Sequence, residues 1–228
     1  MIIYGKQVCL YALTRHPKEI EKIYIAKKGI LPKELFERFG SKIKFIENRW
    51  AQSLAKGGNH QGILIEIKDI ALAELEDIKT GEFIVIFDGI TDAGNIGAIV
   101  RTSYALGVDG IVATGVNRLN LSTIARTSSG ALLDMPLVIR YNILDILNEL
   151  KQSGFYLYGA SMEGEPIENK LFAKKRVLIL GSEDLGLSKK VKSRLDETIS
   201  IKMKREFDSL NVSVAAGIMI HRMSYGVK

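Results

Sequence analysis

The sequence predicts an α/β protein: a parallel sheet covered on both faces by helices, preceded by a smaller, strongly basic α/β region. Three observations lead there. Continuous apolar runs such as Phe83-Ile84-Val85-Ile86-Phe87 alternate with helix-like stretches, the pattern of strands buried on both faces. Segments of Gly, Asn, Ser and acidic residues follow several of those runs, where a strand turns into a helix. The basic excess sits wholly in the first third: residues 1–68 carry 13 Lys and Arg against 6 Asp and Glu, net +7, whereas residues 69–228 carry 19 against 20, net −1.

Taken in order, Val8 to Leu13 reads as a helix, Ile23-Tyr24-Ile25 as a strand and Lys33 to Phe39 as a helix. Ile43 to Ile46 follows as a strand, Trp50 to Lys56 as a helix and Gly62 to Ile67 as a strand. Lys68 to Gly81 is acidic and short-sided and reads as a linker, which puts domain boundaries at 1–68, 69–81 and 82–228. The alternation then restarts at Phe83. Further strands are expected at Gly110 to Thr114, Leu137 to Arg140, Phe155 to Gly159, Val177 to Leu180 and Ile199 to Met203, with helices between.

Composition excludes several classes. The chain has 228 residues, 46% of them apolar and four of them proline, enough for a real core and too apolar for disorder. No run approaches the ~20 apolar residues of a membrane span, and the start Met1-Ile2-Ile3-Tyr4-Gly5-Lys6 is not a signal peptide. Cys9 is the single cysteine, so no internal disulfide is possible, and His16, His60 and His221 lack metal-ligand spacing. A cytoplasmic protein without a structural metal is expected. The split charge suggests contact with a polyanion, RNA or DNA being the usual one; a merely solvated lysine-rich surface is the alternative.

Ligands of a parallel sheet bind beyond the C-terminal ends of its strands. Three segments lie there: Asp88 to Arg101, Gly181 to Ser188, and the stretch from Ser209 to Gly217. Gly181 and Gly186 have the gap of a phosphate-binding loop and Ser188 falls where its hydroxyl would, but Leu187 stands where that loop needs Lys. Gly94-Asn95-Ile96-Gly97 has the wrong spacing for a dinucleotide fingerprint. The third segment puts Ser209 and Asn211 at the start of an apolar helical run in which Leu210, Val214, Ile218 and His221 recur at helix spacing. Such a start offers backbone N–H groups and side-chain oxygens at one point, for an ordinary cap or for a polar ligand.

Together, Asn95-x-Gly97-x-x-x-Arg101, Gly181-Ser182-Glu183-x-x-Gly186-Leu187-Ser188 and Ser209-Leu210-Asn211-Val212-Ser213 resemble the three ordered motifs of the SpoU family of RNA ribose 2′-O-methyltransferases in the SPOUT superfamily. Tyr4-Gly5, Val8, Leu13 and Asn59-His60-Gln61-Gly62 look like the substrate-binding domain of members that modify large-subunit ribosomal RNA. The resemblance implies a small RNA-binding α/β domain similar to the L30e/L7Ae type, then a parallel-sheet catalytic domain whose C-terminal part forms a deep trefoil knot. It implies S-adenosylmethionine as cofactor, RNA as partner, and a homodimer with the site at its interface, away from any membrane.

The same resemblance assigns residues. Arg101 matches the catalytic arginine; a guanidinium titrating above ~12 is a poor base, so clamping phosphate and stabilising a developing alkoxide is favoured, with the family's proposal of a base left open. Asn95 would orient Arg101 or the ribose, or cap a helix. Glu183 would bind a substrate hydroxyl or pin Arg101, or simply favour a helix N-terminus. Ser209 and Asn211 would shape the site through hydrogen bonds or cap their helix. Gly181, Ile201 and Leu210 match backbone positions that hold the cofactor, and Ala160, Ser161 and Met203 join the same pocket. Three departures stand out: Asp184 and Arg205 where Gly is usual, and Lys202 where Pro is usual. The implied activity is methyl transfer to a ribose 2′-hydroxyl, foremost at a guanosine of 23S ribosomal RNA. A transfer RNA substrate, or a non-catalytic RNA-binding factor that keeps the fold, are the alternatives.

Overall fold

The computed structural model describes residues 1–182 and 184–227. In chain order the elements are β1 (Ile2–Tyr4), α1 (Lys6–Arg15), β2 (Ile20–Ile25), α2 (Lys33–Arg38), β3 (Ile43–Phe45), α3 (Asn48–Leu54), β4 (Ile63–Ile67), α4 (Leu75–Ile78) and β5 (Phe83–Asp88). There follow α5 (Ala93–Ala105), β6 (Gly110–Thr114), α6 (Leu121–Thr127), β7 (Leu137–Ile139), α7 (Ile143–Gln152), β8 (Tyr156–Pro166), β9 (Arg176–Leu180), α8 (Lys189–Lys192), β10 (Glu197–Ser200) and α9 (Val212–Tyr225). Contacts divide the chain into two compact units, Met1–Ala71 with Asn120–Leu133, and Leu72–Leu119 with Asp134–Lys228.

The first unit is a four-stranded sheet in the order β1-β4-β2-β3, with β2 and β3 parallel and the other pairs antiparallel. Period-two alternation on β4 explains its helices on both faces. Ile63, Ile65 and Ile67 are buried, while Leu64 points the other way into a cluster with Tyr4, Tyr24, Ala51 and Ala55. The His60-Gln61-Gly62 landmark is a turn with a structural task. Gln61, at φ 54°, accepts the N–H of Lys6 on its Oε1 at 2.8 Å and so caps α1, whose own N-cap, Gly5, has no side chain to do it. Helix α6 belongs to this unit by contacts, with Ile124 and Ala125 fully buried, although it follows the boundary at residue 82 in sequence.

The second unit is a six-stranded, all-parallel sheet in the order β10-β8-β9-β5-β6-β7. Phe83 to Phe87 on central β5 are buried along their whole run. One face packs Ile84, Ile86, Val112 and Ile179 against Leu147 and Leu150 of α7. Helices α5 and α9 pack on each other.

Two expectations change. The stretch read as a linker contains α4, with Leu75 and Ile78 in the core. Its acidic residues cap and pair rather than merely solvate: Glu74 and Asp77 form a capping box, and Glu74 and Glu76 meet Arg140. The strand expected at Ile199 to Met203 is Glu197–Ser200. Its apolar alternation continues past the ladder because Ile201 and Met203 face a cavity instead of a neighbouring strand.

Candidate functional site

A cavity of ≈ 530 Å³ opens beyond the C-terminal end of β9 and beside the middle of β8, built from three chain segments and the first turns of α9. The first segment arises from a break in register. β10 pairs Glu197 with Tyr158 and Thr198 with Gly159, then Ile199 with Glu165. Residues 160–164 of β8 therefore bow out of the ladder, and Ala160, Ser161, Met162 and Glu163 become a wall. Gly164 lets the strands rejoin: a Cβ there would lie 2.5 Å from the backbone of Ile199.

The second segment follows β9. Ser182 and Gly186 form an antiparallel bridge, with Gly186 N–H donating to the Ser182 carbonyl at 2.9 Å. This folds the loop back so tightly that a Cβ on Gly181 would lie 2.2 Å from the carbonyl carbon of Gly186. Ser188 is an N-cap, accepting the N–H of Val191 on its Oγ at 3.2 Å, which accounts for its phosphate-loop-like position. Gly181, Ser182, Leu185, Gly186 and Leu187 line the cavity.

The third segment joins β10 to α9, and Ile201, Met203, Asp208, Ser209, Leu210 and Asn211 line the cavity from it. Asn211 is the N-cap of α9. Its Oδ1 accepts the N–H groups of Ser213 at 3.0 Å and Val214 at 3.3 Å, and the Ser213 hydroxyl at 2.6 Å. With that oxygen committed, its Nδ2 faces away from the helix and donates to Oδ1 of Asn95 at 3.0 Å. Asn95 lies in the first turn of α5, where its N–H donates to the N-cap Asp92 at 2.7 Å. Capping and site-building thus coincide at Asn211.

The structure brings Ala160, Ser161, Gly181, Ile201, Met203, Ser209, Leu210 and Asn211 to one cavity. Asn95 is joined to it through Asn211. Arg101 is exposed on α5 and does not line the cavity. Glu183 lies outside the described residues. The cavity also holds Glu163, Lys192 and Asp208, and an apolar floor of Leu180, Val212, Ala215 and Met219. Sequence reasoning missed these. Val212 and Met219, seven apart on one helix, carried the only signal. Arg205 has no positive φ, so its position does not need the glycine usual there.

Such a cavity, apolar-walled with a few polar groups and several exposed backbone segments, suits a small ligand with an apolar body and polar ends. A 23S rRNA (guanosine-2′-O-)-methyltransferase, RlmB, of Yersinia pestis is 30% identical, with 96% of this chain and 94% of that one covered. Its namesake in Neisseria meningitidis is 28% identical over 96% and 92%. In fold the chain is like the SpoU methyltransferase AviRb of Streptomyces viridochromogenes, solved with the cofactor AdoMet, at TM-score 0.77 and 24% identity over 98% of this chain and 89% of that one. A model of RNA 2′-O ribose methyltransferase substrate binding matches residues 2–72. The SpoU rRNA Methylase family model matches residues 82–221, which hold the sheet, the cavity and all three motifs, and the chain belongs to that family.

Proposed function

We propose that this protein transfers a methyl group from S-adenosylmethionine to the ribose 2′-hydroxyl of a guanosine in 23S ribosomal RNA. The observation that carries the reading is that the second and third motif segments line one cavity and the first is tied to it through the Asn211–Asn95 hydrogen bond, in a chain whose relatives along nearly its whole length bear that activity in their names. The cavity fits the cofactor. Its volume is that of a small-molecule site, and at Gly181 only a residue without Cβ allows the backbone to fold against Gly186. Gly181, Ile201 and Leu210 would hold the cofactor through main-chain groups, with Ala160, Ser161 and Met203 beside them. When bound it supplies an activated methyl group for in-line displacement.

The protein's own work is then to position the hydroxyl and to ease loss of its proton. Asn95 and Asn211 fix the starts of α5 and α9 against each other. Arg101, on α5, binds nucleotide phosphate and stabilises charge developing on the ribose 2′-oxygen. Ser209 completes the polar lining toward the substrate, and Glu183 would bind a substrate hydroxyl or pin Arg101.

The reading includes a homodimer. Two facts support it: Arg101 does not line the cavity of its own chain, and α9 exposes Val214, Ile218 and Tyr225 at 52%, 42% and 74%. It also includes a trefoil knot in the C-terminal part. Arg222 of α9 donates to the carbonyls of Ile167, Glu168 and Lys170, and Phe172 N–H to Gly226, so the last helix is tied to the segment between β8 and β9, as a threaded chain would be. The unit containing residues 1–71, with its basic excess and helices on both sheet faces, serves as an RNA-binding domain of the L30e/L7Ae kind, and residues from 82 on, apart from the 120–133 stretch that joins the first unit, as the catalytic domain. No helix among the described residues is long and apolar enough to cross a membrane; the cytoplasm is where a ribosomal RNA substrate places the protein.

The test is tritiated methyl transfer to unmodified 23S transcripts, with ribose methylation mapped in cells with and without the protein. A guanosine methylated only in its presence is expected. Binding of S-adenosylmethionine with no methylation of any cellular RNA would overturn the activity, and methylation confined to transfer RNA would overturn the substrate.

A further inference from the structure

The segment joining β10 to α9 has two sides. Ile201, Met203, Asp208 and Ser209 face the cavity. Lys202, Lys204, Arg205, Glu206 and Phe207 are exposed and do not line it. Phe207 shows 73% of its surface. It is not an isolated apolar residue: Leu185 and Met162, on the other two walls, are exposed at 88% and 57% while lining the same cavity. The mouth therefore has apolar side chains on each wall, and the outer side of the third wall adds three cations against the single acid Glu206. Lys202 anchors the near end, its N–H donating to the Glu168 carboxylate at 3.3 Å.

An exposed aromatic ring flanked by cations beside a catalytic cavity fits one kind of occupant. A nucleotide offers a flat π face and a phosphate together, and stacking on an aromatic ring accepts any base. A protein partner fits less well, because charged residues are depleted at the centre of protein interfaces. We propose that Phe207, with Lys204 and Arg205, forms an outer lip of the cavity that receives a nucleotide of the RNA substrate, its base stacked on the ring and its phosphate on the cations. This deepens the methyl-transfer reading and rests on it for the identity of the cavity. Arg205 then belongs to RNA capture, which gives a use to one of the three departures from the family pattern.

The test uses the full-length protein and unmodified 23S transcript in filter-binding titrations across potassium chloride concentrations. S-adenosylmethionine binding by calorimetry and sedimentation velocity accompany it. Phe207→Ala is expected to weaken RNA binding by about 5- to 100-fold, and Phe207→Tyr to stay within about 3-fold of the parent, since the π face remains. A Lys204→Ala, Arg205→Ala double variant should lower the salt slope by about one to two. Cofactor affinity should stay within about 2-fold in all three, because these side chains lie outside the cavity. Unchanged RNA affinity in Phe207→Ala overturns the proposal. So does a change in sedimentation, which would place the ring against a second copy of the chain. The readout is binding, so a wild-type protein that binds RNA in this way yet methylates nothing would count against the activity and not against the lip.

Discussion

Asn211 donates its side-chain N–H to Oδ1 of Asn95 at 3.0 Å, joining the starts of two helices that lie 116 residues apart in sequence. The orientation of the Asn211 amide is forced, because three donors at the head of α9 converge on its other atom. One residue therefore caps α9 and fixes the first turn of the helix that carries Arg101. The two tasks can be separated by mutation.

Asn211→Asp keeps the capping oxygen and loses the donor to Asn95; Asn211→Ala loses both. Urea denaturation should show Ala costing about 1 kcal/mol and Asp a few tenths. Methyl transfer should fall about 10-fold or more in both. Full activity in the Asp variant would reduce the Asn95 contact to a bystander.

Gly181→Ala should damage the cavity more than its one added carbon suggests. The new Cβ would lie 2.2 Å from the Gly186 backbone, and backbone cannot swing aside as a side chain can. Calorimetry should show cofactor affinity lowered about 10-fold or more. An unaltered affinity would mean that the 181–187 loop is not a wall of the cofactor site.

Arg101→Ala should lower kcat at least about 100-fold while S-adenosylmethionine affinity changes less than about 3-fold. The charge acts on developing negative charge, and the side chain does not line the cavity. Arg101→Lys should recover only part of the rate, since a single ammonium replaces the planar fork. Equal losses in cofactor binding and rate would place Arg101 in the cofactor pocket instead.

Cys9 is fully buried, and burial pushes its thiol far above the ordinary range. Native protein should resist a thiol-specific reagent at pH 8 and react quantitatively in denaturant. Fast native labelling would contradict the packing of α1 on its sheet.

Residues 1–71 expressed alone should be less stable than the same residues in the whole chain. The unit they belong to includes residues 120–133, in which Ile124, Ala125 and Leu132 are 0%, 0% and 1% exposed. Gly130 leaves no room beside Tyr11, with a Cβ falling 2.7 Å from the ring. Denaturation of the fragment with and without added 120–133 peptide checks this; equal stability would show that the first unit is complete without α6.

Much of the fold was legible because its signals are local. The β5 run from Phe83 to Phe87 is apolar at every position, which marks a strand buried on both faces. The alternation of helix and strand around it fixed the α/β class. Helix α4 escaped notice because its acidic residues mimic a linker while only Leu75 and Ile78 carry the burial signal. The β8 break escaped because residues 160–164 leave the ladder for reasons of register with β10, a strand more than thirty residues later.

By itself the sequence determined the alternation of helices and strands apart from β1 and α4, the basic first third, the three motif segments and the residue types they offer. Tertiary structure decided how those segments meet. It turned residues 160–163 into a wall by a jump in strand pairing, moved α6 into the first unit, and set Asn211 beside Asn95. Local pattern reports which face of an element is buried. It carries no information about which distant segment lies opposite, because that depends on register, close backbone approaches such as Gly181 on Gly186 and capping bonds between helices, which exist only once the chain has folded.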